Sequence, residues 1–326
     1  MVISEKTLLR RIRLLAQSGL NLSVVRGIGE DCAVLRLPRH GGEQMDTLVT
    51  TDFSLEGVHF RRDWHSPESV GHRCLARGLS DIAAMGGEPV AAFLSLALPG
   101  DTRQAWVNRF FTGLLNLATH YKVTLAGGDT AESPKGILAD IIVVGIVPKE
   151  RAVLRSGARP GDRIYVSGEL GGSAATLKQF RNNQTKKLNR RHYPRHFFPE
   201  PRIELGRLLR AKGIASAMID TSDGLSTDLA HICEESGVGA ELQARAIPRA
   251  SIGKPAFEVD LAFALHGGED YELLFTASPG KRVPLEIAGV RITQIGEINR
   301  GKKIYIRETP GAKRQLRPQG WEHFRK

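Results

Sequence analysis

The sequence predicts a two-domain protein of α/β class, with α and β elements mixed: a mixed sheet with helices in its N-terminal part and a further α/β layer in its C-terminal part. Three observations carry this expectation. Apolar strand-like runs alternate with helix-period segments through the first half; a polar stretch at 148–162, "PKERAVLRSGARPGD", breaks the alternation; and the alternation then resumes. The length of 326 residues agrees, because domains commonly hold ~150 residues each. The expected division is 1–150 and 151–326.

Each element has its own signal. "SEKTLLRRIRLLAQSG" (4–19) sets Leu8, Ile12 and Leu15 at helical spacing and closes on glycine, so an amphipathic helix is expected, without the apolar core of a signal peptide. "TLVTTD" (47–52), "VAAFLSLAL" (90–98), "VTLAGGD" (123–129) and "ILADIIVVGIV" (137–147) read as strands. The last reads as a buried strand; it contains Asp140 and is too short to span a bilayer, so no membrane span is expected. Ser66-Pro67-Glu68 opens a helix, with serine as N-cap and proline in the first turn, running to about Met85 before two glycines. A second helix covers about 103–121. After the break come a strand "RIYVSG" (163–168), helices at 172–180 and 201–212, a strand "SAMID" (216–220), a helix at 225–235 and a strand "YELLFTA" (271–277).

A 41% hydrophobic and 25% charged composition is that of an ordinary globular chain, and excludes wholesale disorder. Cys32, Cys74 and Cys233 stand far apart with no CxxC pair, which suits a reducing cytoplasm and three small buried side chains. The net charge of +11 raises nucleic acid as a partner. That class needs clustered basic residues interleaved with stacking aromatics. Only 6% of residues are aromatic and the basic residues are spread out, so no nucleic-acid partner is expected. The one basic concentration, "FRNNQTKKLNRRHYPRH" (180–196), lacks apolar periodicity and reads as a solvated, mobile loop; His192 and His196 there lack the neighbouring acids or cysteines of a metal site.

Acids recur where apolar runs turn: Asp31 in "GIGEDCAVL", Asp52 in "LVTTDFSLEGVHF", Asp81 in "LSDIAAMGGEP", Asp129 in "LAGGDTAES", and Asp220 with Asp223 in "MIDTSDGLSTDL". Each alone has an ordinary reading as a cap or turn residue. Six in a basic protein suggest hard cations such as Mg²⁺, which bind through one or two carboxylates each together with substrate phosphates. No GxxxxGK[ST] is present, and "RGIGEDC" has Cys32 where a GxGxxG motif has its last glycine. "GELGGSA" (168–174) follows a strand and opens a helix, which can aim backbone N–H groups at a phosphate or can be a plain turn.

The strings "GIGEDCAV", "TTDFSLEGVHF", "LSDIAAMGGEP", "LAGGDT", "RSGARPGD", "SGELGGSAA", "PEPR", "IDTSDGL", "GGEDYELLFT" and "GWEHF" run in one order along nearly the whole chain. In these the sequence resembles the thiamine-monophosphate kinase family, related to aminoimidazole ribonucleotide synthetase and selenophosphate synthetase; residues 181–196 fall outside the likeness. The resemblance implies ATP-dependent phosphorylation of thiamine phosphate to thiamine diphosphate by a cytoplasmic homodimer joined through its N-terminal sheets. The N-terminal part would carry ATP, metal and dimer contacts, and the C-terminal part would complete the site. It also implies that Asp31, Thr50, Thr51, Asp52, Asp81, Asp129, Asp220 and Asp223 surround several Mg²⁺ ions, Asp52 and Asp129 being indispensable to turnover. Gly128, Asp129, Arg155 and Ser222 would touch ATP, and His59, Glu269 and Trp321 the thiamine phosphate. Gly78 departs from the pattern, where asparagine is expected. Another ATP-using enzyme of the same superfamily is the competing reading.

Overall fold

The computed structural model describes residue 7 and residues 23–36, 44–182, 189–309 and 312–323. The helix expected at 4–19 therefore lies outside the described residues, Thr7 excepted, and so do positions 183–188 of the basic stretch.

Six strands form the first sheet: β1 (Val24–Arg26), β2 (Ala33–Leu35), β3 (Met45–Leu55), β4 (Glu88–Leu98), β5 (Thr124–Glu132) and β6 (Leu138–Pro148), in the order β1-β2-β3-β6-β4-β5. Among the described residues of this sheet only β4 and β5 run parallel, across the crossover that helix α2 (Gln104–His120) makes between them. Helix α1 (Pro67–Ala84) begins where its signals put it. Pro67 stands in the first turn and the Ser66 side chain accepts a hydrogen bond from Ser69 N at 3.3 Å. β6 alternates buried and half-buried residues along its length. The strand expected at 137–147 is thus present, with its buried face against α1 and its half-buried face outward.

The Gly127-Gly128 pair lies inside β5, not in a turn after it. A Cβ on Gly128 would stand 1.9 Å from the carbonyl oxygen of Leu94 on β4, so that glycine is required by strand packing. Gly78 has a similar role. The helix runs unbroken through it, and its bare Cα lets α1 settle on the Val143 side chain of β6.

The second sheet is built from β7 (Arg163–Ser167), β8 (Ala217–Asp220), β9 (Gly239–Gln243), β12 (Leu273–Ala277), β13 (Glu286–Ile287), β14 (Val290–Asn299), β15 (Ile304–Thr309) and β16 (Ala312–Gln315), with β10 (Ser251–Ile252) and β11 (Phe257–Glu258) as a separate pair. Its helices are α3 (Gly172–Asn182), α4 (Pro194–Phe197), α5 (Ile203–Ala211), α6 (Leu225–Ser236) and α7 (Leu261–His266). The core is continuous between the two parts, because α1 packs on β3 and β6 and also on α5 and β8. Leu75, Leu79 and Ile82 of α1 share one cluster with Ile141 and Val143 on one side and Leu205, Leu209 and Met218 on the other. Full burial of each such side chain contributes roughly 1.5–3 kcal/mol.

The basic stretch corrects an expectation. A short 3₁₀ turn (Arg190–His192) and α4 give its second half fixed structure, with Tyr193, His196 and Phe197 buried. Phe197 and Tyr193 pack with Phe180, Ile252 and Val259 in a small separate core. The Arg190 guanidinium donates to the Trp64 carbonyl.

Candidate active site

The site lies where α1 is pinched between the two sheets. Asp81, near the C-terminal end of α1, accepts a hydrogen bond from Thr50 Oγ1 of β3. Its neighbour Ser80 donates to Asp220 at the end of β8, at 2.6 Å. Asp31 comes in on the turn before β2, and one carboxylate oxygen from each of Asp31, Asp81 and Asp220 lies within 4.8 Å of the others. Arg155 straps Asp31 from the far side through two 3.0 Å bonds, while its backbone N–H donates to Glu30 at 2.8 Å.

Crowding of like charge shows in the protonation of these acids. Burial, then the charges of Asp52, Asp220 and Asp31, pushes Asp81 well above the usual carboxylate range. Burial and Asp31 push Asp220 up to about 7, against the Ser80 hydrogen bond. Burial raises Asp52 as well, with Arg77 opposing it. Arg155 rises above its ordinary value because Asp31, Asp81 and Asp220 outweigh its own burial. The donor set of hard carboxylate and hydroxyl oxygens, with no cysteine or histidine among them, fits Mg²⁺ and gives such a cluster the counter-charge it lacks.

A second group sits one turn back along α1. Arg73 forms an ion pair with Glu269 at 2.8 Å and also donates to the His196 carbonyl. Arg77 stands 3.6 Å from Glu269 and 3.7 Å from Asp52. Burial alone would raise Glu269, but the two arginines hold it below its ordinary value. Its charge is thus already met within the chain. His59 Nδ1 accepts from Leu55 N at 3.0 Å, and burial with Arg77, His323 and Arg73 nearby lowers its pKa to about 3, so it is neutral at physiological pH. Glu269 and Tyr271 both have left-handed backbone, with φ of 65° and 53°. Such strain concentrates at functional sites.

The C-terminal tail reaches the same place. Gln319 N, Gly320 N and Trp321 N bond in turn to Ser226 Oγ, Thr227 Oγ1 and the Asp223 carbonyl, at 3.4, 3.1 and 3.0 Å. The Trp321 ring is 51% exposed and so is no core anchor. His323 bridges it to the site, with ring centroids 5.7 Å from Trp321 and 5.5 Å from His59. Ser222, half-buried, lies beside Asp223, and its carbonyl accepts from Glu269 N at 2.7 Å.

Not every expected residue joins these groups. Asp129 is exposed on β5, bonded to its own neighbour's N–H (Thr130) at 2.8 Å. Strand register aligns Phe53, Asp140, Ser95 and Asp129 in one row across the outer face of the first sheet, with Thr51 bonded to Asp140 at 2.7 Å. Thr51, Gly128 and Asp129 thus lie away from the Asp31–Asp81–Asp220 cluster. The "GELGGSA" turn is already filled: Gly171 N and Ser173 N donate to Asp270, at 2.6 and 3.3 Å. That carboxylate takes the place a phosphate would have. Sequence reasoning missed Arg73 and Arg77, although Arg73, Arg77 and Asp81 recur every four residues on one face of α1, a spacing that could have found them.

Residues 29–147 match the AIR synthase related protein N-terminal domain, and residues 159–307 match the AIR synthase related protein C-terminal domain. A thiamine-monophosphate kinase of Escherichia coli strain K12 is 39% identical over 314 residues, 93% of either chain. Its counterpart in Salmonella typhimurium is 41% identical over 287 residues, 85% of either chain. The solved complex of AaThiL with AMPPCP and TMP superposes with a TM-score of 0.82 at 31% identity, covering 98% of this chain and 97% of that one.

Proposed function

The chain belongs to the AIR synthase related family, among its thiamine-monophosphate kinases, and we infer that it carries out their reaction: ATP-dependent phosphorylation of thiamine phosphate to thiamine diphosphate. The observation that carries this reading is the Asp31–Asp81–Asp220 cluster, buried at Asp31 and Asp220 and half-buried at Asp81, beside a packed group of two arginines and His59. One part suits a metal-bound triphosphate and the other a second anionic substrate.

We assign Asp31, Thr50, Asp52, Asp81, Asp220 and Asp223 to several Mg²⁺ ions; Thr51 and Asp129, on the outer face of the first sheet, are not part of that set. Bound by the assigned residues, Mg²⁺ would offset the charge of the phosphates during transfer. Arg155 and Ser222 are assigned to ATP, while Gly128 and Asp129, on β5 away from the cluster, are not. His59 and Trp321 are assigned to the thiamine moiety, the tryptophan face offering a cation–π contact worth ~0.5–2 kcal/mol. Glu269, already ion-paired with Arg73, would orient the substrate by hydrogen bonding.

Transfer is proposed to be direct and in line. The acceptor is a phosphate monoester with a second pKa near ~6, so its oxygen is largely deprotonated at neutral pH and needs no general base. Neutral His59 then serves to bind and orient.

We further propose a cytoplasmic homodimer and a functional division at 1–150 and 151–326. The outer face of the first sheet supports the dimer, because Phe53, Val90 and Phe93 are exposed on it beside half-buried Ile142 and Val144. A molar mass in solution equal to one chain would contradict it. A reducing compartment suits Cys32, Cys74 and Cys233, all free and buried. The reaction is tested with ATP and a panel of phosphorylated acceptors. Turnover confined to thiamine phosphate is expected, and turnover of another superfamily substrate in its place would overturn the reading.

A further inference from the structure

Arg77 is half-buried, charged and loosely held. Its side chain is 15% exposed, Nε has no hydrogen-bond partner, and its nearest carboxylates stand at 3.7 Å (Asp52) and 3.6 Å (Glu269), beyond hydrogen-bonding range. Of the neighbouring guanidiniums, Arg73 donates to the His196 carbonyl and pairs with Glu269, its Nη2 making no hydrogen bond among the described residues, and Arg155 holds Asp31 by two bonds. A guanidinium with a buried, unused donor is costly unless a ligand completes it. Resting on the kinase reading above, we propose that Arg77 binds the phosphate group of thiamine phosphate, the acceptor of the transfer.

Its position carries the argument. Asp52 marks the end of the site where metal and the transferring phosphate meet, and Glu269 with His59 marks the end that takes thiamine. Arg77 stands between them, grouped with His59, Arg73 and Ser54. An acceptor phosphate has to lie between its own organic part and the phosphoryl donor, which is where this guanidinium is. Its planar fork matches two phosphate oxygens at once. The incoming anion would meet an Arg77 Nε that has no hydrogen-bond partner among the described residues, and Glu269 keeps Arg73 as its partner.

The alternative is that Arg77 only neutralises Asp52 and Glu269. Equilibrium binding of thiamine phosphate and of thiamine, measured calorimetrically on the full chain in EDTA, separates the two. The unaltered protein should favour the phosphorylated form by roughly 10- to 100-fold, the range of a charge-assisted bidentate contact. Arg77→Met should abolish that preference and leave thiamine affinity within about twofold, while Arg77→Lys keeps part of it. Should Arg77→Met fail to fold, Arg77→Gln makes the same measurement. A preference that survives either substitution, or affinities for both ligands that fall together, would overturn the assignment and leave the kinase reading standing. An unaltered protein that binds neither ligand would overturn both.

Discussion

Asp81 concentrates the conflict in this site. It is held above the ordinary range by burial and by Asp52, Asp220 and Asp31 together, with the Thr50 hydroxyl opposing them; in the proposed site a bound cation would relieve it. Asp81→Asn should therefore raise the melting temperature of the metal-free protein by at least roughly 2 °C, the shift that about 1 kcal/mol produces in a domain of this order. It should also remove the stabilisation that Mg²⁺ gives. Calorimetry with and without Mg²⁺ checks both halves, and a destabilised variant that still responds to Mg²⁺ would be the opposite result. Trp321 is a cleaner case. With its ring half-exposed and its backbone carrying the tail's bond to Asp223, Trp321→Ala should raise KM for thiamine phosphate several-fold while KM for ATP and the melting temperature barely move. Loss of both substrates with a lower melting temperature would mean the ring serves the fold. Asp31, Asp81 and Asp220 were legible as acids at turning points, because strand ends and loop edges are where such side chains reach a cleft. Asp129 was legible as a residue and not as a place: nothing in "LAGGDT" tells that its strand lies on the outer face.

Among the elements, those with strong local signals stood out in the sequence. α1 follows from a serine cap and a proline, α2 from helical periodicity without either, and the observed ends of both fall within a residue or two of expectation. The strand read at 123–129 is found as β5, where the glycines pair with β4, whose backbone Gly128 must approach. β14, β15 and β16 escaped notice, since charged residues and glycine interrupt their apolar alternation. Composition likewise made the basic stretch look mobile, yet two aromatics at the right distance anchor it, and Arg73 donates to the carbonyl of its His196. Phe197→Ala should accordingly cost about 3–5 kcal/mol, the usual range for a buried phenylalanine. Chemical denaturation reads this directly, and a solvated loop would show almost no change.

At the scale of the whole molecule, stability, metal and pH are linked through the same carboxylates. Asp220 goes from an ordinary 3.8 to about 7 in the folded chain, and Asp52 and Asp81 are raised in the same direction. The folded state thus holds these protons more tightly than the unfolded one. Stability of the metal-free protein should fall as pH rises from about 4 toward 7, and the gain from saturating Mg²⁺ should be larger at pH 8 than at pH 5.5. Thermal melts at the two pH values decide it, and an equal gain at both would contradict the carboxylate cluster as the metal site. That cluster is assembled by the fold as a whole, from the turn before β2, the end of α1 and the end of β8, so its function is a property of the closed two-sheet body. The most direct measurement is a quenched reaction of the purified protein with Mg²⁺, thiamine phosphate and ATP labelled in its γ-phosphate, resolved by chromatography. The account predicts one thiamine diphosphate for each ADP, with the label in its terminal phosphate and none left on the protein. ATP consumed without labelled thiamine diphosphate, or label trapped on the protein as an intermediate, would contradict it.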